Sequence, residues 1–128
     1  MGLRQVPTMS ILPHFELSSE SHGTRTHVIH VKGEIHVSTA KEFAQRLDDA
    51  IAHEASQIVL DLTEVEFIDS TGLTVLLNGL RSITLRGGRL ALAISNPTVL
   101  RLFEITRLDT TFDIEPTLQA ALQRVGSA

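Results

Sequence analysis

The residues best placed to do chemistry lie in the segment Asp69-Ser70-Thr71-Gly72, between an apolar strand pattern and an apolar helical pattern. A hydroxyl at the amino end of a helix lies near free backbone N–H donors, which together with the helix dipole favour an anion. Ser70 is therefore a candidate to carry a phosphoryl group. A plainer interpretation is that Ser70 or Thr71 caps the helix, and that Gly72 lets the backbone approach a neighbouring element closely.

The sequence carries no motif of the common enzyme classes. It contains no G-x-x-x-x-G-K-[ST], G-x-G-x-x-G, H-E-x-x-H or G-x-S-x-G pattern, which argues against nucleotide, zinc-protease and serine-hydrolase chemistry. No histidine and acid arrangement that would activate Ser70 as a nucleophile can be inferred. A serine hydrolase is therefore the less favoured interpretation of Ser70.

Six histidines and one acidic run raise the question of a metal site. His27 and His30 are three residues apart on a predicted strand, so they face opposite sides, and solvent-facing imidazoles are the favoured interpretation. The acidic run comprises Asp61, Glu64, Glu66 and Asp69. Such a run is more typical of a solvated loop than of a cation site. The sequence therefore predicts no metal ligands.

Length and composition limit the class of protein. The chain has 128 residues, 42% of them hydrophobic, with no cysteine and a net charge of −4, which fits one globular domain without disulfides. There is no basic footprint for nucleic acid, no secretory signal, and no run near the roughly twenty apolar residues of a membrane span. We predict a loose leader over residues 1–13, a single domain over 14–128, and a cytoplasmic location without membrane insertion.

Strand and helix patterns alternate along the chain. Two strand patterns, the second closed by Gly33, flank turn residues and predict an edge hairpin. A short apolar run over residues 58–62 predicts a buried strand, after which residues 63–67 lead to the candidate segment. The full order, β-β-α-β-α-β-α-β-α, predicts an α/β fold with a mixed, mostly parallel sheet, an N-terminal β-hairpin and about four helices.

Three helix starts can be read from short signals. Thr39 and Glu42 have the spacing of a capping box before the first helix. The candidate segment opens the second helix, which extends from Thr71 to about Arg86. Ser95-Asn96-Pro97 has the composition of a turn that begins the third helix.

Residues Phe67 to Leu73 resemble the signature of STAS domain proteins, the bacterial anti-sigma factor antagonists. The resemblance extends upstream through Gly33-Glu34-Ile35 and the apolar run, and downstream to Gly87-Gly88 and the following strand and helix, so that it covers about residues 15–122. It implies the compact STAS fold and a partner-switching protein that is not an enzyme and needs no cofactor of its own.

The resemblance also implies a mechanism and its residues. In the family, the unphosphorylated antagonist binds an anti-sigma factor that is also a serine kinase, and so releases the sigma factor. The kinase phosphorylates the serine after the aspartate, here Ser70, and a serine phosphatase reverses the modification. The implied partner-binding surface comprises His36, Asp69, Ser70, Thr71, Gly72, Ser95 and Asn96.

Two positions depart from the family pattern. The family commonly has an aspartate after its Gly-Glu-hydrophobic triplet, where this chain has His36, and this change bears on partner choice or kinase efficiency. Many members have a glycine after the short third helix, where this chain has Arg107. Because glycine suits a left-handed helix end, a changed turn or mild strain is expected at Arg107.

Two other functions are compatible with the same pattern. One is a scaffold or transport-associated STAS subunit, of the stressosome or lipid-transport type, in which Ser70 need not be modified. The other is a STAS module that binds a small ligand or nucleotide, which would require a pocket of a few hundred cubic ångströms or more with few convergent polar groups. The first requires a protein partner and the second requires a pocket.

Overall fold

The structure is a computed structural model that describes residues 15–53 and 56–126. Within these residues the chain forms five β-strands, four α-helices and one 3₁₀ turn. In chain order they are β1 (Phe15–His22), β2 (Thr26–Ile35), α1 (Ala40–Ala52), β3 (Gln57–Ile68), α2 (Ser70–Leu85), β4 (Arg89–Ala93), α3 (Pro97–Ile105), the 3₁₀ turn (Leu108–Thr110), β5 (Asp113–Glu115) and α4 (Leu118–Gly126). The predicted order is confirmed. The predicted leader lies outside the described residues.

The strands form one sheet in the order β1-β2-β3-β4-β5. The pair β1 and β2 is antiparallel and the other three pairs are parallel, which confirms the predicted mixed sheet with an N-terminal hairpin. Because β2, β3 and β4 are parallel, their carboxyl ends lie at the same edge of the sheet. The segments that contain His36, Ser70 and Ser95 follow these three strand ends.

Apolar side chains pack on both faces of the sheet. On one face α1, α2 and α3 cover the larger cluster, in which Phe43, Leu76 and Phe103 are fully buried. On the other face α4 covers a smaller cluster that contains Ala91 and Ala93. Burying each large side chain contributes roughly 1.5–3 kcal/mol. Among the described helices, none is long and apolar enough to cross a membrane.

Strand β3 is longer than the sequence predicts. Its pairing with β2 shifts register twice, and each time β3 has one residue more than β2. Buried side chains consequently fall at Leu62, Val65 and Ile68, a spacing of three instead of two. The prediction of a strand over residues 58–62 was too short because these bulges hide the alternation beyond Leu62. Glu64 and Glu66 lie on this strand, not in a solvated loop.

Strand β2 also continues past its predicted end. Gly33 is buried within the strand, has a φ of 103°, and lies at the second register shift. The prediction that Gly33 closes the strand was wrong, because here the glycine accommodates a bulge, which needs backbone that other residues rarely adopt.

The turn between β2 and α1 is held by Thr39. Its hydroxyl donates to the Glu34 carbonyl at 2.8 Å and accepts from the His36 N–H at 3.0 Å, and it makes no cap to α1. The predicted capping box with Glu42 was therefore wrong. The hydroxyl instead fixes the backbone around His36.

Arg107 keeps the left-handed backbone that a glycine would favour. Its φ is 63° and its ψ is 21°, and it is the only non-glycine residue with positive φ among those described. The left-handed conformation costs a residue with a Cβ roughly 1–2 kcal/mol. The expected strain at this position is thus present.

Replacing Arg107 with glycine should raise the free energy of unfolding by about 0.5–1 kcal/mol, because relief of the left-handed strain exceeds the extra backbone entropy that glycine loses. Arg107→Val should lower it, since a β-branched residue tolerates positive φ poorly. Urea denaturation of both variants and the wild type measures the effect. A less stable glycine variant would contradict the assignment of strain.

Candidate functional site

The candidate segment begins where β2 and β3 end side by side. Ile35 pairs with Ile68 at the last position of their parallel ladder, and the Asp69 N–H donates to the Ile35 carbonyl at 3.1 Å. His36 and Asp69 therefore leave the sheet as neighbours. The parallel order of the strands brings together two residues that are far apart in sequence.

Asp69, and not a hydroxyl, is the N-cap of α2. Its backbone is extended, with φ −103° and ψ −173°, and its carboxylate accepts a hydrogen bond from the Gly72 N–H at 3.1 Å. A carboxylate at this position satisfies a free helix donor and interacts favourably with the helix dipole. The interpretation that Ser70 or Thr71 caps the helix was wrong, and Ser70 is the first helical residue.

The Ser70 hydroxyl is consequently not used to hold the helix. The residue is exposed, whereas Thr71 is half-buried. Among the described side chains, Thr74 donates to the Ser70 carbonyl at 2.9 Å, and none bonds to the Ser70 hydroxyl. An exposed serine in the first turn of a helix is chemically suited to accept a phosphoryl group.

Gly72 lies against the ends of β2 and β3 with no room for a side chain. A Cβ at this residue would lie 2.8 Å from the Cγ2 atoms of both Ile35 and Ile68, and 3.2 Å from the Ile35 carbonyl oxygen. Carbon atoms at optimal separation are about 3.5–4.0 Å apart. The predicted close approach of the backbone is confirmed, and it presses the first turn of α2 onto the strand ends.

His36 is positioned by its own turn. Its side chain is 16% exposed, Nδ1 accepts a hydrogen bond from the Ser38 N–H at 3.1 Å, and Nε2 lies 3.5 Å from the Glu34 carboxylate. The ring is 6.4 Å from the ring of Phe67, centroid to centroid. An oriented imidazole thus stands beside the Asp69 segment, at the position where the family resemblance leads one to expect a carboxylate.

Ser95 and Asn96 lie farther along β3 from Ser70. The Ser95 hydroxyl donates to the Thr63 carbonyl at 3.2 Å, and Thr63 precedes the end of β3 by about 16 Å of extended strand. Asn96 caps α3 by accepting from the N–H groups of residues 98 and 99, at 2.8 and 3.3 Å, which confirms the predicted helix start. The structure therefore joins His36 to the Asp69 segment and leaves Ser95 and Asn96 on the flank of β3.

Comparison with known proteins identifies the family. Residues 19–121 match the STAS domain. The anti-sigma-B factor antagonist of Listeria monocytogenes is 37% identical over 87 residues, which cover 68% of this chain and 76% of that protein. The chain belongs to the STAS family.

Solved structures agree with this assignment. An anti-sigma factor antagonist from Mycobacterium paratuberculosis matches with a TM-score of 0.82 and 31% identity, covering 89% of this chain and 96% of that one. The phosphorylated form of SpoIIAA, a Bacillus cell fate determinant, matches with a TM-score of 0.64 and 26% identity, covering 88% and 99% of the two chains. The resemblance read from residues 67–73 and the predicted STAS fold are confirmed.

This STAS domain also exposes apolar side chains that the sequence did not single out. Val37, Phe67 and Ile105 are 74%, 48% and 66% exposed. Phe67 and Ile105 lie on opposite walls of a groove of about 280 Å³ between the end of β3 and α3, and Val37 follows His36. Exposed apolar groups that share one region are typical of a binding surface. The sequence signal for this surface was a large apolar residue, Phe67, at the first position of the signature.

The histidines and acids of the STAS domain form no metal centre within residues 15–53 and 56–126. The interpretation of His30 as solvent-facing was nevertheless wrong. Its ring is half-buried, with one nitrogen 2.7 Å from the Asp61 carboxylate and the other 2.7 Å from the Glu20 carboxylate. Asp61 is correspondingly part of the sheet and not of a solvated loop.

Replacing Gly72 with alanine should lower the free energy of unfolding by about 1–3 kcal/mol, because the added Cβ forces α2 away from Ile35 and Ile68. Gly126→Ala is the matched control, since a Cβ there meets nothing within 4 Å. Thermal denaturation of both variants gives the comparison. Equal stability of the Gly72 variant and the control would disprove the close packing.

Proposed function

We propose that this STAS domain is a cytoplasmic anti-sigma factor antagonist that binds an anti-sigma factor with serine kinase activity, releases the sigma factor, and is switched off by phosphorylation of Ser70. The observation that carries the proposal is the exposed Ser70 hydroxyl in the first turn of α2, which the Asp69 cap leaves free of any structural task. Relatives named as anti-sigma factor antagonists, and the phosphorylated form of a similar protein, support it.

The switch follows from the charge of the modification. A neutral serine can enter a protein interface at little desolvation cost, whereas a phosphoserine adds about −1.5 to −2 charges and three strong acceptor oxygens. The helix amino end stabilises that anion by about 0.3–1 kcal/mol in the free domain, so the fold tolerates it. The Asp69 carboxylate opposes it, and a partner without a matching cation would have to desolvate both charges.

The partner surface in this proposal is broader than the signature. It comprises His36, Asp69, Ser70, Thr71, Gly72, Ser95 and Asn96, together with Val37, Phe67 and Ile105. The three apolar side chains supply the area that loses contact with water on binding, and the polar residues around Ser70 supply the dependence on phosphorylation. Residues of one surface need not contribute equally, because a few buried aromatic or aliphatic anchors usually dominate.

The domain itself is the acceptor in this reaction and not the catalyst. The kinase partner supplies the nucleotide and its metal ion, and a separate serine phosphatase removes the phosphoryl group. Neither nucleic acid nor the membrane takes part in the contact, because regulation passes through the anti-sigma factor.

Ser70 variants test the switch with the anti-sigma factor kinase encoded in the same genome. Ser70→Ala should bind that kinase as tightly as the unmodified domain, and Ser70→Asp should bind at least tenfold more weakly, a loss of about 1.4 kcal/mol. Thr71→Ala should still acquire one phosphate, on Ser70. Calorimetry measures binding, and mass spectrometry after incubation with kinase and ATP locates the phosphate. Equal affinities for the Ala and Asp variants, or modification of Thr71 alone, would refute the switch.

The exposed apolar groups give a separate test of the surface. Phe67→Ala and Ile105→Ala should each weaken binding to the same kinase about fivefold or more, as interface anchors do. Leu85→Ala is the control, because Leu85 is 81% exposed at the opposite end of α2. Should these variants bind like the control while Ser70→Asp binds weakly, the groove lies outside the interface and the switch still stands.

A further inference from the structure

His30 lies between two carboxylates from different strands. Its Nδ1 is 2.7 Å from Asp61 Oδ2 on β3, and its Nε2 is 2.7 Å from Glu20 Oε2 on β1. A neutral imidazole has one N–H donor and one lone pair, so it can donate to only one of these oxygens. The charged imidazolium donates to both. The geometry at both nitrogens therefore matches the protonated ring.

The two carboxylates are held with different firmness. Asp61 is 15% exposed, and its other oxygen accepts from both the N–H and the hydroxyl of Thr63, at 3.1 and 2.7 Å. Glu20 is 50% exposed and lies on an edge strand. If the ring keeps only one of its two contacts, the contact with Glu20 is the one that is lost, because Asp61 is fixed within the sheet.

Among the described contacts, few side-chain bonds hold the outer half of β1. Phe15 and Leu17 pack against the core, but all residues from Ser18 to His22 are exposed. Besides the backbone ladder with β2, a hydrogen bond of 2.9 Å from Arg46 to the Ser19 hydroxyl and the Glu20 contact with His30 attach this half to the domain.

We propose that His30 is a protonation-dependent latch that holds the outer half of β1 on the sheet and releases it when the imidazolium loses its proton. The latch joins β1, β2 and β3 through one ring. Its strength therefore depends on the protonation of that ring.

The electrostatic surroundings agree with this role. Burial is the largest single effect and disfavours the charged ring, but the hydrogen bonds and the negative charges of Glu20 and Asp61 together outweigh it and raise the pKa of His30. The hydrogen bond from His30 likewise lowers the pKa of Glu20. The remaining charged or titratable groups around the latch are Glu16 and His22 on β1, Lys32 on β2 and Glu64 on β3. Lys32 lies 3.4 Å from Glu64, so these two charges largely offset each other.

The direction of the pH dependence follows from these shifts. Because the folded-state pKa of His30 is raised, its contribution is complete below the unfolded-state value of about 6.5 and is lost as pH rises through the folded value. Because the pKa of Glu20 is lowered, its contribution is present above the unfolded-state value of about 4.3 and is lost as pH falls through the folded value. The latch should therefore be strongest in mildly acidic solution.

Nuclear magnetic resonance on the full chain tests the latch directly. The imidazole nitrogens of His30 report its titration, and hydrogen exchange of the amides of residues 18–22, corrected for intrinsic exchange rates, reports opening of β1. In the wild type we expect His30 to titrate above about 6.5. Protection of these amides should fall about two- to fivefold as the ring deprotonates, the size expected for a partly exposed ion pair.

Variants separate the latch from general effects of pH. Glu20→Gln removes the negative charge of an exposed side chain on β1, so the fold should be kept. The pH dependence of amide protection in residues 18–22 should disappear. His30→Gln should do the same, and His27→Gln, a change on the same strand, should behave like the wild type. Titration of His30 at or below its usual pKa, or the same pH dependence in Glu20→Gln as in the wild type, would overturn the proposal.

Discussion

The first turn of α2 lies directly on the carboxyl ends of β2 and β3, and the rest of the site depends on that contact. No Cβ fits at Gly72, and the Asp69 carboxylate ties the turn to the strand end by accepting from the Gly72 N–H. The contact fixes the direction in which α2 leaves the sheet. Ser70, which lies between these two residues, is thereby exposed on a rigid support instead of on a mobile loop.

Much of the architecture could be predicted from local pattern, because apolar periodicity reports which face of an element is buried. The order of strands and helices, the edge hairpin and the start of α3 at Asn96 all follow from such patterns. The choice of Asp69 over Ser70 as the cap of α2 could not be predicted by residue type, since both are good caps. It depends on which residue takes extended backbone, and the pairing of Ile35 with Ile68 decides that.

The remaining differences have one kind of cause, which is a contact between residues distant in sequence. Thr39 has the spacing to Glu42 that is typical of a capping box, but its hydroxyl bonds to the Glu34 carbonyl near the end of β2 instead. His30 looks like an ordinary strand histidine until pairing sets it beside Asp61 and Glu20. Likewise β4 pairs with β3 only as far as Asp61, so Ser95 leaves the sheet earlier than Asp69 does.

The two bulges in β3 have a consequence for how the length of this strand can change. Each adds one residue relative to β2, so together they restore the original in-and-out phase at the end of the strand. Loss of one residue between Thr63 and Phe67 would turn the buried side chain of Ile68 toward solvent. Loss of two residues would keep this alternation, but β3 would then be too short to pair with β2 as far as Ile35. The number of residues between the buried run of β3 and Ser70 is therefore fixed by two requirements, the alternation of buried and exposed side chains and the length needed to reach the end of β2. A β3 strand that is shorter, or that pairs one residue out of register, would not place Ser70 at the same position.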